Sequence, residues 1–187
     1  MDSKIGTDVK VSAGANAGAA ASPSIVLTTH YKMEAFDTEG NLKWIEEFDN
    51  IVPNGGLNDL LTNYLKGSAY TAAFYVGLTD STPAVAATDT MASHPGWVEV
   101  ETYSQGVRPT LVLGAVASQS VDNSASKAVY TISADTTVIG GAFITTDTAK
   151  GGTAGILYSV AAFLTADKSL DTGDTLNVTA TLTAASA

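Results

Sequence analysis

The chain contains no cysteine among its 187 residues. This absence excludes disulfide bonds, thiolate metal sites and a cysteine nucleophile. A chain of this length is predicted to form one domain, or one domain with a small appendage, and it can bury a core without covalent cross-links. A protein without cysteine is also compatible with assembly in a reducing compartment.

Histidine is nearly absent as well, which limits acid–base catalysis and metal binding. Only His30 and His94 are present. His94 follows Ser93, but neighbours in sequence do not build a nucleophile–base pair, because catalytic triads are arrangements in space. The chain has no Gly-x-Ser-x-Gly motif and no phosphate-loop or dinucleotide fingerprint. We therefore predict a protein that is not an enzyme and that needs no cofactor.

Two acidic patterns remain open to other interpretations. Glu99 and Glu101 stand two residues apart, and paired carboxylates can act as the acid and base of a glycosidase. Two carboxylates on one strand face are more simply a solvated surface, which is the interpretation we favour.

Aspartates in the loops raise the question of a metal site. Asp171 and Asp174 flank a glycine turn, where an aspartate commonly bonds its own backbone. A calcium ion in a loop remains an alternative for three further aspartates: Asp80, Asp89 and Asp147. No clustered ligand pattern of a known metal site is present, so we predict no metal.

The charge balance also excludes partners. The chain has 9 Lys and Arg against 19 Asp and Glu, a net charge of −10. Phosphate backbones repel such a protein, so we expect no nucleic-acid partner. No apolar run reaches the roughly 18 residues of a membrane span, and we expect no membrane partner.

Residues 1–24 form a low-complexity segment of small side chains. Such a composition buries too little apolar area to offset the entropy of ordering, so we predict a flexible N-terminal arm. The alternative is an arm that becomes ordered on a neighbouring subunit, where it would add a strand to a sheet edge. The candidate contact residues for that alternative are Lys4, Val9, Lys10 and Val11.

The remaining residues, 25–187, predict an all-β domain that begins with a hairpin over residues 25–48. Its first strand alternates, with Tyr31 and Met33 on one face and His30 and Lys32 on the other. A turn at residues 37–41 contains Gly40, which can adopt a positive φ. In the return strand, Glu46 and Glu47 are expected to mark a solvated edge.

One helix is predicted at about residues 56–66. Its apolar residues recur at helical spacing and form a stripe that we expect to pack as a lid on the sheets. The stripe consists of Leu57, Leu60, Leu61, Tyr64 and Leu65.

Short strands separated by turn signals occupy residues 71–183. This pattern predicts an antiparallel β-sandwich of jelly-roll or Ig-like type, and the absence of a βα alternation argues against a parallel sheet. The predicted strands are 71–78, 97–103, 110–116, 128–132, 138–145, 155–163 and 175–183.

Two stretches carry a family resemblance. One is Phe74-Tyr-Val-Gly-Leu, and the other is Asp89-Thr-Met-Ala-Ser-His-Pro-Gly-Trp-Val-Glu-Val-Glu-Thr-Tyr-Ser-Gln-Gly-Val-Arg-Pro, which ends at Pro109. Together with the Gly- and Thr-rich strands after them, they resemble small virion structural proteins of tailed bacteriophages, often encoded near the major capsid protein. The resemblance runs from about Trp44 to the C-terminus.

The resemblance implies a role in the virion. It suggests a capsid decoration or cement protein on the outer capsid surface, assembled in the host cytoplasm as a homo-oligomer that binds the major capsid protein. The alternative is a structural protein of the tail, neck or fibre. A more distant alternative is a carbohydrate-binding module, which would display an exposed aromatic platform.

The resemblance falls on Trp97, Tyr103 and Arg108, which have two interpretations. They could form a hot spot for a neighbouring subunit, since such contacts are rich in Trp, Tyr and Arg. Alternatively, Trp97 packs in the core and Arg108 forms a fixed ion pair with Glu99 or Glu101. The sequence leaves both open.

Overall fold

Regular structure in this protein is almost entirely antiparallel β-strand, which confirms the predicted all-β, sandwich-like fold with one short α-helix. The computed structural model describes residues 25–65, 73–81 and 84–186. The predictions for Lys4, Val9, Lys10 and Val11 lie outside these residues. The strands are β1 Ile25–Phe36, β2 Leu42–Asp49, β3 Tyr75–Thr79, β4 Ser120–Asp122, β5 Ala128–Thr131, β6 Thr137–Ile139, β7 Gly141–Thr145, β8 Leu157–Ala162, β9 Lys168–Leu170 and β10 Thr175–Ser186.

The first layer is a five-stranded sheet built around the last strand. β10 pairs with β1 along its whole length, from Ile25 opposite Ser186 to Phe36 opposite Thr175. Its other edge pairs with β5 near its start and with β4 near its end. β2 pairs with β1 and forms the outer edge of the sheet.

The second layer is the three-stranded sheet β3–β7–β8, with the two-stranded pair β6–β9 beside it. Buried aromatic and aliphatic side chains fill the space between the layers. Two hydrogen bonds cross it: the Tyr31 hydroxyl lies 2.7 Å from the Ser159 hydroxyl, and the Tyr130 hydroxyl donates to the Val76 carbonyl at 2.7 Å. Tyr31 and Tyr130 therefore satisfy their polar ends while they join the layers, whereas the buried hydroxyl of Tyr103 has no hydrogen-bond partner among the residues that the structure describes.

The hairpin of β1 and β2 has the alternation seen in the sequence. Tyr31 and Met33 are fully buried, whereas His30 is exposed. In the turn, the Asp37 carboxylate accepts the backbone N–H of Asn41 at 2.7 Å, and Gly40 has φ of +85°. The Asp37 carboxylate thus serves as the acceptor for a backbone N–H of the turn, as aspartate commonly does in turns. Glycine adopts the positive φ of position 40 without strain.

The expectation of a solvated Glu46–Glu47 edge is wrong for Glu46. Its side chain is buried. It accepts a hydrogen bond from Thr165 and forms an ion pair with Lys168, whose ammonium lies 2.7 Å from the carboxylate. Burial raises the pKa of Glu46, but the bonds from Lys168 and Thr165 outweigh it and hold the pKa below its usual value. Only Glu47 is exposed.

The helix differs from its predicted form. Helix α1 covers Asn54–Asp59, and a π-helical segment continues over Leu60–Leu65. The predicted lid is wrong, since Leu57 and Leu61 are 40% and 55% exposed. The buried side contains Gly56, where a Cβ atom would lie 2.9 Å from the Tyr158 carbonyl oxygen, so the helix approaches β8 backbone to backbone. Neither helical segment, nor any other helix of the described residues, is long and apolar enough to cross a membrane.

Two predicted strands, 97–103 and 110–116, are irregular segments instead. Glu99 bridges to Thr79 and Thr110 bridges to Tyr75, both on β3. In an unbroken antiparallel strand Tyr103 would face Tyr75, so the chain loops out seven residues before it returns to β3. The predicted strand 138–145 is likewise divided, because Gly140 bonds to the Thr79 carbonyl between β6 and β7.

A strained tight turn joins the segment after Thr110 to β4. Ala117 and Ser120 exchange both backbone hydrogen bonds, at 2.9 Å each, around Ser118 and Gln119. These central residues have φ of +50° and +59°, although neither is glycine. Two consecutive residues with positive φ are typical of the I′ hairpin turn, for which Asn-Gly is the preferred sequence.

Replacing this turn with its preferred sequence should stabilise the domain. We expect Ser118→Asn combined with Gln119→Gly to raise the free energy of unfolding by about 1 kcal/mol, because strain is relieved at both positions. Urea unfolding measures the change. Ser126→Gly, at an exposed position with negative φ, is the matched control and should not stabilise; a double variant less stable than wild type would contradict the strain argument.

Candidate functional site: the segment from Asp89 to Pro109

The segment from Asp89 to Pro109 lies along the outer edge of β3. Val100 donates its backbone N–H to the Leu78 carbonyl at 2.9 Å, and Val76 donates to the Pro109 carbonyl at 2.9 Å. Between these two contacts the looped-out residues cross to β5, where Ser104 donates to the Thr131 carbonyl at 2.8 Å. The segment therefore joins the two layers of the sandwich.

A glycine on β3 creates the space in which this segment packs. The Phe143 ring of β7 lies against Gly77, where a Cβ atom would be 2.0 Å from the ring. The other side of the same ring neighbours Trp97, with centroids 5.1 Å apart, and the Arg108 guanidinium at 5.3 Å. Any side chain at position 77 would displace Phe143 and so disturb both contacts.

Contacts with Asp89 and His94 fix the position of Trp97. Its indole N–H donates to the Asp89 carboxylate at 3.1 Å, and the His94 ring stacks on it at a centroid distance of 3.8 Å. The His94 Nδ1 atom lies 2.9 Å from the Trp97 carbonyl oxygen. Trp97 is 4% exposed, so its ring is a core residue beneath the loop that precedes it.

Arg108 forms the centre of a buried ion pair. Its guanidinium is fully buried and binds both oxygens of Glu99, with Nε–Oε1 at 2.8 Å and Nη2–Oε2 at 2.7 Å. It also donates to the carbonyls of Asp147 and Gly152, each at 2.8 Å. Burial lowers the pKa of Arg108, but the Glu99 carboxylate more than offsets this and raises it, so the group stays charged.

A second cation secures the looped-out residues. Lys150 donates to the carbonyls of Tyr103 and Gln105, both at 2.9 Å, and its ammonium lies 4.2 Å from the centroid of the Tyr103 ring. Tyr103 itself is 2% exposed, and its burial raises the pKa of the phenol. The loop of residues 146–153 thus holds the segment through both Arg108 and Lys150.

The partner-binding prediction for Trp97, Tyr103 and Arg108 is therefore corrected. Their side chains are 4%, 2% and 0% exposed, and a hot spot needs surface that a partner can reach. The structure instead has the alternative arrangement of a core tryptophan and an ion pair of Arg108 with Glu99. The sequence gives no sign of the Lys150 contacts, because Lys150 lies more than forty residues from Tyr103 and Gln105, and the two loops meet only in the folded chain. The contact of Asp89 with Trp97 is nearer in sequence, but it depends on how the loop between them folds back.

The candidate catalytic groups serve structural contacts. His94 is bonded to the Trp97 carbonyl, and Ser93 takes part in a turn with Thr90. Both oxygens of Glu99 bind Arg108, while Glu101 is exposed. Glu99 and Glu101 are therefore not equivalent members of a carboxylate pair.

The loop aspartates also bond to nearby protein groups. Asp80 accepts the backbone N–H of Val98 at 3.1 Å, Asp147 that of Ala149 at 3.2 Å, and Asp174 that of Asp171 at 2.8 Å. In the described residues no three His, Asp or Glu side chains are grouped so that they could hold a metal ion.

The surface of the described residues is acidic because carboxylates outnumber cations. These residues include six Lys and Arg against seventeen Asp and Glu. Five of the cations pair with carboxylates, and the sixth, Lys150, binds backbone carbonyls. Carboxylates therefore dominate the field that a partner would meet.

Comparisons with family models, with curated proteins and with solved structures found no match to this chain.

Breaking the Arg108–Glu99 pair from one side should strongly destabilise the protein. Arg108→Met leaves Glu99 buried without its partner, and we expect a loss of about 3–5 kcal/mol in the free energy of unfolding. Urea unfolding with an unchanged m-value measures the loss.

Two controls separate the ion pair from general disruption. Glu101→Gln, at the exposed carboxylate two residues away, should change stability by less than about 0.5 kcal/mol. Adding Glu99→Met to Arg108→Met should restore part of the loss, because no charge is then left unpaired. A loss for Arg108→Met no larger than that for Glu101→Gln would refute the central role of the pair.

Proposed function

We propose that this protein is a structural protein of a tailed-bacteriophage virion that binds the assembled capsid and stabilises it without catalysis. The observation that carries the proposal is the resemblance of residues 74–78 and 89–109 to such proteins. These stretches contain Gly77, Trp97 and Arg108, which pack inside the domain. The likeness therefore concerns the architecture of the whole domain more than a single exposed patch.

The mechanism of stabilisation is mass action. A protein that binds the assembled shell, and not its separated subunits, adds its binding free energy to the stability of the shell. Many copies multiply this contribution, and the pressure of packaged DNA makes it useful. The partners are the major capsid protein and further copies of this chain on the outer capsid surface.

The net negative charge of the described residues supports a partner with an electropositive surface. Since the cations of the described residues are engaged internally, the carboxylates are the charges that remain to attract a partner. Complementary charge speeds association and selects the partner more than it adds affinity. The same field disfavours contact with packaged DNA, which agrees with a position outside the shell.

An apolar stripe on the helical segments is the contact surface we propose in place of Trp97 and Tyr103. Leu57 and Leu61 are 40% and 55% exposed. They lie four residues apart, about one helical turn, and so face one direction. Adjacent exposed apolar side chains of this kind mark interaction surfaces. The N-terminal arm, residues 1–24, is the second proposed contact.

Thermal release of DNA from virions tests the proposal. Particles that lack the protein should release DNA at a lower temperature than complete particles, and added wild-type protein should restore the higher temperature. Leu57→Ser combined with Leu61→Ser should restore it poorly, because the apolar contact is lost. Val98→Ser combined with Val107→Ser changes side chains that are 61% and 50% exposed elsewhere, and this matched control should restore it fully.

Copy number per particle distinguishes the capsid from the tail. Gel densitometry of purified virions should give a copy number proportional to that of the major capsid protein. Equal release temperatures with and without the protein, together with a copy number that fits one ring of subunits, would reject capsid binding and favour a tail, neck or fibre role.

A further inference from the structure

An unfilled apolar groove opens between the two layers where β1 begins. It has a volume of about 320 Å³. Leu27 of β1 and Leu182 of β10 line one side, and Tyr158 of β8 lies on the other. Leu27 and Leu182 continue the inward-facing rows of their strands, yet both are only partly buried. The core pattern of the first sheet thus extends beyond the part that the second sheet covers.

An exposed apolar side chain lies at the rim of the groove. Val116 lines the groove and is 75% exposed. Burying such a side chain contributes about 25 cal/mol per Å² of apolar area, so a chain segment that covers it is stabilised there.

The same rim holds the strained turn in place. Ser120 and Gln119 line the groove, and the Gln119 carbonyl accepts the backbone N–H of Ala184 at 3.0 Å. Backbone strain that the surrounding structure fixes is frequent where a ligand is clamped. The groove is therefore bordered by a rigid turn rather than by an adaptable loop.

The chain itself provides a segment suited to this groove. Residues 1–24 lead directly into β1, and the groove starts at Leu27, three residues later. Their β-branched aliphatic residues are confined to Ile5, Val9 and Val11. In an extended chain Val9 and Val11 point to one side and Lys10 to the other, so two aliphatic side chains could enter an apolar groove while the lysine stays in water.

The linker between this segment and β1 has a suitable length. Residues 12–24 are thirteen residues of Ser, Ala, Gly, Asn and Pro. Linkers of this composition and length have a root-mean-square span of about 20 Å, which is comparable with the size of one domain. A tether this short gives an effective concentration in the millimolar range, so in dilute solution the groove of the same chain is favoured over that of another copy.

We propose that residues 5–11 dock into this groove on their own chain, with Val9 and Val11 against Leu27 and Leu182. Docking completes the inner face of the first sheet at the end where the second sheet does not reach it. The inference does not rest on the proposed virion role, because it concerns the isolated protein.

Disulfide trapping tests the docking, and the absence of cysteine makes it specific. In the full-length chain, Val9→Cys is combined with Val116→Cys at the rim of the groove and oxidised in a glutathione buffer. The control combines Val9→Cys with Val26→Cys, which lies at the same end of β1 and is 41% exposed, but alternates with Leu27 and so faces away from the groove. We expect an intramolecular disulfide at position 116 that forms about tenfold faster than at position 26.

Each outcome of the trapping experiment decides the proposal. Adding Ile5→Ser and Val11→Ser to the 9–116 pair should lower its rate to that of the control, because the apolar contact is removed. Equal rates for the two pairs would overturn docking in the groove, and covalent dimers instead of cross-linked monomers would assign the groove to a second copy. If the Val116 variant does not fold, Ala184→Cys, at an exposed position that also lines the groove, replaces it. Virion attachment is not measured, so failure here leaves the proposed function standing.

Discussion

The irregular half of this protein depends on one buried ion pair. The Arg108 guanidinium directs four hydrogen bonds to Glu99 and to two carbonyls of the loop at residues 146–153. Glu99 also accepts the backbone N–H of Gly151 at 2.9 Å. A charge out of water is costly unless partners surround it, so this arrangement has few alternatives once it has formed. Two long stretches without regular strands are thereby fixed against β3 and β7.

Close backbone approach determines where the elements meet. Gly77 leaves room for the tip of the Phe143 ring, and Gly56 allows α1 to rest on the backbone of β8. The second contact has a consequence for the surface, because a helix that buries its glycine side turns its leucines outward. The same packing rule therefore creates both the tight centre of the domain and the exposed stripe at Leu57 and Leu61.

Many charged side chains of the described residues hold loops in place. Lys150 and Arg108 anchor the looped-out residues, Lys168 neutralises Glu46, and the carboxylates that remain define an acidic surface. Apolar surface is left at the helical stripe and at the groove near Leu27. Association through such surfaces requires no reactive group, and it agrees with the structural role in a virion that we propose.

Local pattern in the sequence determined the hairpin of β1 and β2 and the all-β class. Strand alternation is a property of the backbone with a period of two, so Tyr31 and Met33 could be placed on one face and His30 and Lys32 on the other without knowledge of any partner. The structure shows that the face of Tyr31 and Met33 is the buried one. The turn at Asp37 and Gly40 was equally local, since its bonds join residues at most four apart.

Only the tertiary structure decided the candidate site. The alternation of residues 97–103 predicted a strand, but the seven residues looped out before Pro109 depend on an ion pair with a distant loop. The local pattern predicted a solvated Glu46, but the fold brings Lys168 and Thr165 into contact with its carboxylate. The leucine stripe predicted a helix that covers the sheets, but Gly56 occupies the buried side of that helix. In each case a contact between residues far apart in sequence outweighed the local pattern, because burial of a charge or a backbone contact involves more free energy than the preference of one face.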